Sequence, residues 1–323
     1  MSIELLIQNT AGSTLDASQI VSSVTWTTYL EDTPGKLTFE VLDVGFLYKE
    51  GSVVSFKVDS QNVFLGYVFT RKITESETIS ITCYDSMRYL QNKDSKVFEA
   101  TTLPKLFEGI CSGLGLKYKI IDNSTYSVPA VVHDNKSYYE MMKKAIDETL
   151  IGTTEWFYVR DNYGVLELCA VSQHITNLFI GDQSLLNSFS YESSIDKDTY
   201  NQIKLTQENS ETSKRDVYIA RDSNTIKEWG LLQYYESVNE NLNEAQIKEK
   251  TDQLLKLYNR ASKTLKLTCN GDLRLRAGSG FVLGIDRLKN EDIQSNQYTF
   301  ITQCDHKWSG NDHTMDLTVR VLT

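Results

Sequence analysis

The sequence predicts an α+β fold that is mainly β, with two β-rich regions, a small α/β region between them and a helical insertion in the second β region. Short stretches of alternating apolar and polar residues, separated by turn residues, fill both ends of the chain. Two amphipathic helix patterns stand in the middle. Two distant stretches, Phe64–Cys83 and Phe300–Val319, overlay without a gap as strand-turn-strand segments. The overlay suggests that one β-module occurs twice.

The first β region is predicted at residues 1–95. Turn residues at Asp32–Gly35 and Asp59–Asn62 separate its strands. Short strands at this spacing are typical of a barrel or a sandwich. Strands are predicted over Ile3–Ile7, Val21–Tyr29, Lys36–Leu42, Val53–Val58, Val63–Arg71 and Thr78–Tyr84.

The α/β region is predicted at residues 96–180. Thr102 is the predicted N-cap of its first helix, and Gly113 and Gly115 end that helix. Ser137 and Glu140 form a capping box that opens the second helix, because each side chain can bind a free backbone N–H group. A hairpin with strands at 156–160 and 165–170 follows, around the turn residues 161–164. The side chains predicted to be buried are Leu106, Phe107, Ile110 and Cys111 in the first helix and Met141, Met142, Ala145, Ile146 and Leu150 in the second.

The second β region is predicted at residues 181–323, with the helical insertion at about 222–262. Asn243 and Gln246 open the most regular helix of the insertion, whose apolar face carries Ile247, Leu254, Leu255 and Tyr258. Strands are predicted over Ser188–Ser193, Asn201–Gln207, Asp216–Arg221, Thr264–Cys269, Gly280–Ile285, Gln297–Cys304 and Met315–Leu322.

The overlay of the two stretches extends to the residues in front of them. Phe64 falls on Phe300, and a Gly-Ser strand start precedes each stretch, Gly51–Ser52 in one and Gly278–Ser279 in the other. Shared β-propensity and internal duplication both account for such matches, and the sequence leaves both open. A chain that carries one β-module twice would, as a trimer, present six similar modules around one axis.

Length, charge and cysteine content narrow the class of protein. At 323 residues the chain is longer than one hydrophobic core usually serves, so two or three domains are expected. The net charge is -10 without a long Lys/Arg cluster, so nucleic acid is a poor candidate ligand. The acidic charge fits ordinary solubility, or a passage that DNA crosses without sticking. The start MSIELLIQNT predicts no signal peptide, and no apolar run predicts a membrane segment. Five single cysteines predict reduced, mostly buried thiols.

No metal-binding or cofactor-binding residue is predicted. The four histidines are spread along the chain, and none lies in a known zinc motif. His306 and His313 bracket a short loop, which suits either a metal or acid-base site or a solvated hairpin turn. We interpret the pair as part of a solvated turn. His133 and His174 stand apart from them.

No catalytic residue is predicted either. A glycosidase would need two facing carboxylates, for which Glu155 with Asp161 or Glu167 is one of many unconstrained choices. The glycine pairs at 113–115 and 278–280 lack the rest of any phosphate-binding fingerprint. They are interpreted as a helix end and a strand start.

A succession of short motifs runs through nearly the whole chain. The motifs are Gly51–Val54, Phe64–Val68, Ile81–Asp85, Arg88–Leu90, Leu106–Leu116, Tyr200–Asn201 and Gly280–Phe281. In this order and spacing they resemble the baseplate hub proteins of contractile phage tails and phage tail-like particles. That group includes the late-control protein D type and the PBSX-like hubs of Gram-positive bacteria.

The resemblance implies two tail-tube-like β-barrel domains with the α/β domain between them. It implies a homotrimer whose pseudo-sixfold ring joins the hexameric tail tube to the trimeric spike. Expected partners are the tail tube protein and the spike protein, with the tape-measure protein and other baseplate proteins as further candidates. The expected place is the baseplate of a virion or tail-like particle, assembled in the bacterial host cytoplasm.

The resemblance implies neither an enzyme nor a cofactor. A peptidoglycan hydrolase associated with a phage tail is the alternative, and a carbohydrate-binding or adhesion module is a third reading. The sequence leaves open whether the particle is an infectious phage or a tail-only bacteriocin.

Overall fold

The computed structural model describes residues 1–209, 214–238, 242–291 and 297–321. These residues form a mainly β fold, as the sequence predicts, with four α-helices, of which α3 (Ser223–Trp229) was not individually predicted. Leu322, the predicted end of the last strand, lies outside the described residues. The strands of the N-terminal part are β1 (Ile3–Gln8), β2 (Thr14–Asp16), β3 (Val21–Tyr29), β4 (Lys36–Leu42), β5 (Val53–Val58), β6 (Gln61–Ile73) and β7 (Thr78–Tyr84).

The middle part alternates strands and helices. A 3₁₀ turn at Ser86–Gln91 leads into it, and another at Val171–Gln173 ends it. Its elements are β8 (Lys93–Phe98), β9 (Thr101–Thr102), α1 (Leu103–Gly113), β10 (Tyr118–Ile120), β11 (Ser127–Val128), β12 (Val131–Ser137), α2 (Tyr138–Thr153), β13 (Phe157–Asp161) and β14 (Leu166–Ala170).

The C-terminal part returns to strands, with two helices among them. A 3₁₀ turn at Asp286–Glu291 precedes its last hairpin. Its elements are β15 (Ile175–Gly181), β16 (Leu186–Ser194), β17 (Gln202–Asn209), β18 (Lys214–Arg221), α3 (Ser223–Trp229), β19 (Gln233–Val238), α4 (Glu244–Tyr258), β20 (Ser262–Asn270), β21 (Gly280–Gly284), β22 (Gln297–Ser309) and β23 (Asp312–Val321).

One 13-stranded sheet contains strands of both β regions. Its order is β16-β20-β23-β22-β3-β4-β7-β6-β5-β1-β2, with β21 also paired to β22 and β15 paired to β21. The regions meet where β22 pairs antiparallel with β3, Lys307 lying opposite Thr25. Among the described strands of one chain, this order runs from one edge strand to another and does not return on itself.

Side-chain alternation explains the core of this sheet. In β4, Leu37, Phe39 and Val41 are buried while the residues between them are not. Each such side chain contributes about 1.5 to 3 kcal/mol on burial. The same apolar cluster contains Phe56 of β5 and Trp308 of β22, whose rings meet edge to face with centroids 5.0 Å apart.

The middle part has its own apolar core, built by α1, α2, β13 and β14. The predicted capping box of α2 is confirmed, since the Ser137 hydroxyl accepts from the Glu140 N–H and the Glu140 carboxylate accepts from the Ser137 N–H. Thr102 is the N-cap of α1, but its side chain makes no capping hydrogen bond. The predicted hairpin is confirmed as β13 and β14.

The chain divides into two compact units. Unit 1 comprises Met1–Leu150, Thr154–Ser190 and Leu265–Thr323, and unit 2 comprises Ile151–Thr153 and Tyr191–Thr264. In unit 2, β17 pairs antiparallel with β18 and parallel with β19. The prediction that β17 and β18 belong to the second β region is wrong, because they form this separate sheet. The parallel pairing with β19 depends on a long-range contact that local patterns do not contain.

Two capped helices complete unit 2. The predicted opening of α4 at Asn243 is confirmed, and the structure adds a capping box, in which Asn243 and Gln246 each accept from the other's N–H. Ile247 and Leu254 are buried against Ile203 and Leu205 of β17. The division into domains at 1–95, 96–180 and 181–323 remains a prediction.

Candidate assembly surface

A backbone clamp precedes β5 and fixes the middle of β6. Gly51 has a φ of +83°, a left-handed conformation that glycine adopts without strain. Its N–H donates to the Val68 carbonyl at 2.8 Å, and the Val68 N–H donates to the Ser52 carbonyl at 2.9 Å. The Ser52 N–H donates to the Lys49 carbonyl at 3.1 Å. The predicted Gly-Ser strand start is therefore a hydrogen-bonded junction between β5 and β6.

The same clamp precedes β21 and fixes the middle of β22. Gly278 has a φ of +88°. Its N–H donates to the Ile301 carbonyl at 2.9 Å, and the Ile301 N–H donates to the Ser279 carbonyl at 3.0 Å. The Ser279 N–H donates to the Arg276 carbonyl at 2.9 Å. Val68 therefore corresponds to Ile301, and Lys49 corresponds to Arg276.

Two further features repeat around the clamps. The β6–β7 pairing shifts register between Val68 and Thr70, and the β22–β23 pairing shifts between Ile301 and Gln303. Such a bulge bends the strand directly after the clamp. The strand order β3-β4-β7-β6-β5 also matches β16-β20-β23-β22-β21. The two β regions thus share one module of five strands, and shared β-propensity alone does not explain the repeated clamp.

The gapless overlay of the two hairpins is wrong for β6. It places Val68 on Cys304, whereas the clamps and bulges place Val68 on Ile301, three residues earlier. Hairpin length is the reason: five residues separate the paired Ile73 and Ile79, whereas eight separate the equivalent pair His306 and Met315, because the β22–β23 strands continue to Ser309 opposite Asp312. The overlay of β7 on β23 is unaffected, since Cys83 still corresponds to Val319.

The second half of β22 joins the two modules. After the bulge, the Thr302 carbonyl accepts from the Leu30 N–H at 2.9 Å, and pairing continues to Ser309 opposite Ser23. The Thr27 hydroxyl donates to the Asp305 carboxylate at 2.6 Å across this pair. The β22 strand thus uses one edge for two partners, β21 before the bulge and β3 after it.

His306 and His313 lie at this junction and have structural contacts. The His306 Nε2 atom donates to the Leu275 carbonyl at 2.8 Å, so its Nδ1 atom accepts from His313 Nε2 at 2.9 Å. His306 stacks on Trp26 and Trp308. It is fully buried, so the interpretation as a solvated turn is wrong for this residue. Burial lowers the pKa of His306 to about 4.

The nominated carboxylates are held by neighbouring donors. The two carboxylate oxygens of Glu167 accept from Arg160 and Asn162, each at 2.9 Å. Asp161 accepts from the N–H groups of Gly164 and Ser86 at 2.6 and 3.2 Å. Both carboxylates are buried. Glu155 accepts from the Ser172 hydroxyl at 3.4 Å.

A buried charge cluster links the turn after β7 to the second clamp. Burial and the neighbouring Asp161 raise the pKa of Asp85 well above its usual value. The Arg276 guanidinium donates to the Asp161 carbonyl at 2.7 Å and stacks over Trp26 at 5.3 Å. Burial lowers the pKa of Arg276. The cluster ties the α/β hairpin to both modules rather than exposing an acid to a substrate.

One group of possible metal ligands occurs among the described residues. Ligand atoms of Asp122, Cys169 and His174 lie within 4.8 Å of one another. Asp122 also accepts from the Ala170 N–H at 2.8 Å. Burial raises the pKa of Cys169 to about 11, and burial with the nearby Arg160 lowers the pKa of His174. A protonated thiol beside a guanidinium is a poor environment for a cation.

The other sequence predictions about sites concern thiols, a cavity and membrane spans. All five cysteines are free and buried, as predicted. A depression of about 480 Å³ beside the start of β1 and the β22–β23 turn is lined by Ser, Gln, Asn, Gly and apolar residues, without an ionisable side chain. Among the described residues, no helix has the length and apolarity that a membrane crossing requires.

Comparisons with known proteins agree with this architecture. A family model described as YQBQ-like matches residues 24–320. Two relatives come from Bacillus subtilis (strain 168): the uncharacterized protein YqbQ, 27% identical, and the phage-like element PBSX protein XkdQ, 25% identical. Each alignment spans 274 residues, 84% of this chain and 81% of the relative.

A solved structure shares the fold over the whole chain. The 43 kDa tail protein of prophage MuSo2 from Shewanella oneidensis has a TM-score of 0.69 at 14% identity, with 99% of this chain and 98% of that chain covered. The fold is therefore that of a phage tail protein. Together with the PBSX relative, it confirms the resemblance that the sequence motifs indicated.

Proposed function

The chain belongs to the YQBQ-like family, and from this premise we propose that it is the structural hub of the baseplate in a contractile tail or tail-like injection particle. Three copies would form a pseudo-sixfold ring that joins the hexameric tail tube to the trimeric spike. The observation that carries the proposal is the module of five strands that occurs twice, with the same clamp and bulge each time. Six such modules match a sixfold tube, and three chains match a threefold spike.

In this proposal the two modules close into tail-tube-like barrels only in the assembled ring. The domains are then residues 1–95, 96–180 and 181–323, with unit 2 as an insertion in the last. Direct partners are the tail tube protein and the spike protein, with the tape-measure protein and other baseplate proteins as further contacts. The place of action is the baseplate of a virion or tail-like particle assembled in the host cytoplasm. The relation to a PBSX protein and the tail-protein fold support this assignment.

The proposed role is not enzymatic. Among the described residues, Glu167 is engaged by Arg160 and Asn162, Asp161 by backbone donors, and Glu155 by the Ser172 hydroxyl. A catalytic pair would need one carboxylate free to exchange a proton with a substrate. No contact of the described residues favours the peptidoglycan hydrolase alternative, and a zymogram of the purified protein should show no clearing.

Sedimentation and negative-stain imaging test the hub proposal together. We expect a species with three times the mass of the chain, and rings with a central hole in the images. Purified tail tube protein should bind one face of the ring. A protein that remains monomeric at high concentration, with or without its tube and spike partners, would contradict the proposal.

A further inference from the structure

The three-stranded sheet of unit 2 packs against α4 through one face. Ile203 and Leu205 of β17 are buried on that face, in one apolar cluster with Ile247 and Leu254 of α4. Successive side chains of a strand point to opposite faces, so the alternate residues form the other face, called here the outer face of unit 2. Its residues are Gln202, Lys204, Thr206 and Glu208 of β17, Arg215, Val217, Ile219 and Arg221 of β18, and Gln233, Tyr235 and Ser237 of β19.

Apolar side chains are exposed in the middle of the outer face. Val217, Ile219 and Tyr235 are 50%, 55% and 50% exposed. Ile219 and Tyr235 lie opposite Lys204 on its two sides, so these three side chains form one row across the strands. The hydroxyl groups of Thr206 and Tyr235 share a hydrogen bond at 3.2 Å, which fixes the tyrosine side chain. A group of exposed apolar side chains within a polar rim is characteristic of a protein interaction site.

The charge of the outer face is opposite in sign to that of the chain. The chain has 33 basic and 43 acidic residues, but the outer face has three bases and one acid: Lys204, Arg215, Arg221 and Glu208. Glu208 pairs with Arg215 at 2.8 Å at one end of the face. The Lys204 ammonium lies 5.9 Å from the centroid of the Tyr235 ring. Among the described residues, neither Lys204 nor Arg221 forms an ion pair, so both cations are available to acidic groups of a partner.

The dimensions of the outer face fit one α-helix. Neighbouring strands lie about 4.8 Å apart, so the two outer strands of the sheet are separated by about 10 Å. From Arg215 to Arg221 the face extends about 20 Å, at about 3.3 Å per residue. A helix with its side chains is about 10 to 12 Å wide, and about 13 of its residues span about 20 Å. The helix that packs on the opposite face of the same sheet, α4, has 15 residues.

We propose that the outer face of unit 2 binds an amphipathic helix of a different protein, in which acidic residues lie beside an apolar stripe. Val217, Ile219 and Tyr235 contact the apolar stripe, and Lys204 and Arg221 pair with the acidic residues. The bound helix completes an arrangement of helix, sheet and helix layers, in which both faces of the sheet are covered. This inference goes beyond the proposed hub, because it assigns unit 2 a partner of its own and does not require a ring.

The charge pattern favours this occupant over others. A second copy that docked through the same face would bring three bases against the same three bases, which repel each other. Nucleic acids and anionic membranes are bound through many cations, and three bases with one acid are too few. An acidic amphipathic helix matches both the apolar and the cationic side chains of the face.

Photo-cross-linking in the bacterium that produces the protein identifies the occupant. The photoreactive residue p-benzoylphenylalanine replaces Tyr235 in one full-length protein and the exposed Glu249 of α4 in a control protein. After irradiation the protein is purified and digested, and cross-linked peptides are identified by mass spectrometry. We expect position 235 to cross-link to one segment of a different protein, with apolar residues at helical spacing and acidic residues beside them. Position 249 should give no such product.

Variants of the outer face test its chemistry. Ile219→Asp and Lys204→Glu should each lower the yield of the cross-link by about tenfold or more, because each removes a central contact. Val132→Asp is the matched control, since Val132 is a strand residue of unit 1 that is 68% exposed, and it should leave the yield unchanged. An acid-to-lysine change in the identified segment should restore the cross-link to Lys204→Glu. Thermal unfolding of these surface variants should match that of the wild type.

Each contrary result overturns a particular statement. The docking face is refuted by the absence of a cross-link at position 235, by cross-links only to other copies of this chain, or by a segment without acidic residues. Equal products at positions 235 and 249 would indicate random collision and would also refute it. If the chain sediments as a trimer without the cross-link, the hub stands and the docking face does not. A specific cross-link from a chain that never forms a trimer would support the docking face and contradict the hub.

Discussion

Acidification should destabilise the protein through His306, and the size of the effect follows from its burial. The buried ring has a pKa of about 4 in the folded chain, against 6.5 for an unperturbed histidine. The unfolded chain therefore binds a proton more readily than the folded chain. The stability that the neutral ring contributes is fully present above about pH 6.5 and is lost as the pH falls towards 4. Between about pH 7.5 and about pH 5 this linkage amounts to about 2 kcal/mol.

The variant His306→Gln isolates this contribution. Its side-chain amide can still donate to the Leu275 carbonyl, but it does not titrate. Wild type should be more stable than the variant at pH 7.5, and the difference in unfolding free energy should shrink by about 2 kcal/mol at pH 5. Titrating groups that do not contact His306 cancel in this difference, including Asp85, whose raised pKa acts in the opposite direction. His313 donates to the His306 ring, so the double variant His306→Gln/His313→Gln should be compared with His313→Gln in the same way.

Urea unfolding followed by tryptophan fluorescence is a suitable assay, since Trp26 and Trp308 stack directly on the His306 ring. Thr314→Ala in the same hairpin is the control, because it removes no titrating group and its difference from wild type should not change with pH. A His306→Gln difference that stays constant from pH 7.5 to pH 5 would refute a buried, neutral His306.

Two further predictions concern backbone features and are measured by thermal or urea unfolding. Gly51→Ala should cost about 1 to 2 kcal/mol through its left-handed backbone alone, since nothing lies within 4 Å of the added Cβ. Gly278→Ala should cost clearly more, because its Cβ would lie 2.3 Å from the Tyr158 ring, and equal losses would contradict this packing. Ser137→Ala should cost about 1 kcal/mol by removing the cap of α2, whereas Thr102→Ala should have little effect because Thr102 makes no side-chain capping bond.

Local chemistry made much of the fold predictable. The capping boxes at Ser137 and Asn243, the Asp161–Gly164 turn and the clamp glycines each depend on residues close together in the sequence. The pairing of β22 with β3 could not be predicted in this way. It joins Thr25 to Lys307, and each strand alone shows only the alternation that any half-buried strand shows.

The register of the repeated module was harder to predict, because β6 and β22 are similar strands in hairpins of different length. The sequence overlay found the repeated module but placed β6 three residues out of register, because the match of Phe64 with Phe300 hid the greater length of the β22–β23 hairpin. The bonding of Gly51 with Val68 and of Gly278 with Ile301 corrects the register. Only in this register does the exposed Ile73 of β6 occupy the position equivalent to the buried His306 of β22.

In the proposed assembly, fusing two modules in one chain has a physical consequence that six separate subunits would not share. The internal junction forms at a fixed local concentration and can accept buried rings such as His306 and Trp308, whose exposure before assembly would favour aggregation. The equivalent junction between chains must remain soluble until partners meet. Residues 69–73 of β6, which match the first residues of β22 after its bulge, accordingly include Lys72, a charged side chain of the kind that discourages premature strand pairing. Because the two junctions differ, alternate modules around the ring also differ. A ring built in this way retains a threefold pattern that a trimeric spike can recognise, while its repeated strand order remains close to sixfold for the tube.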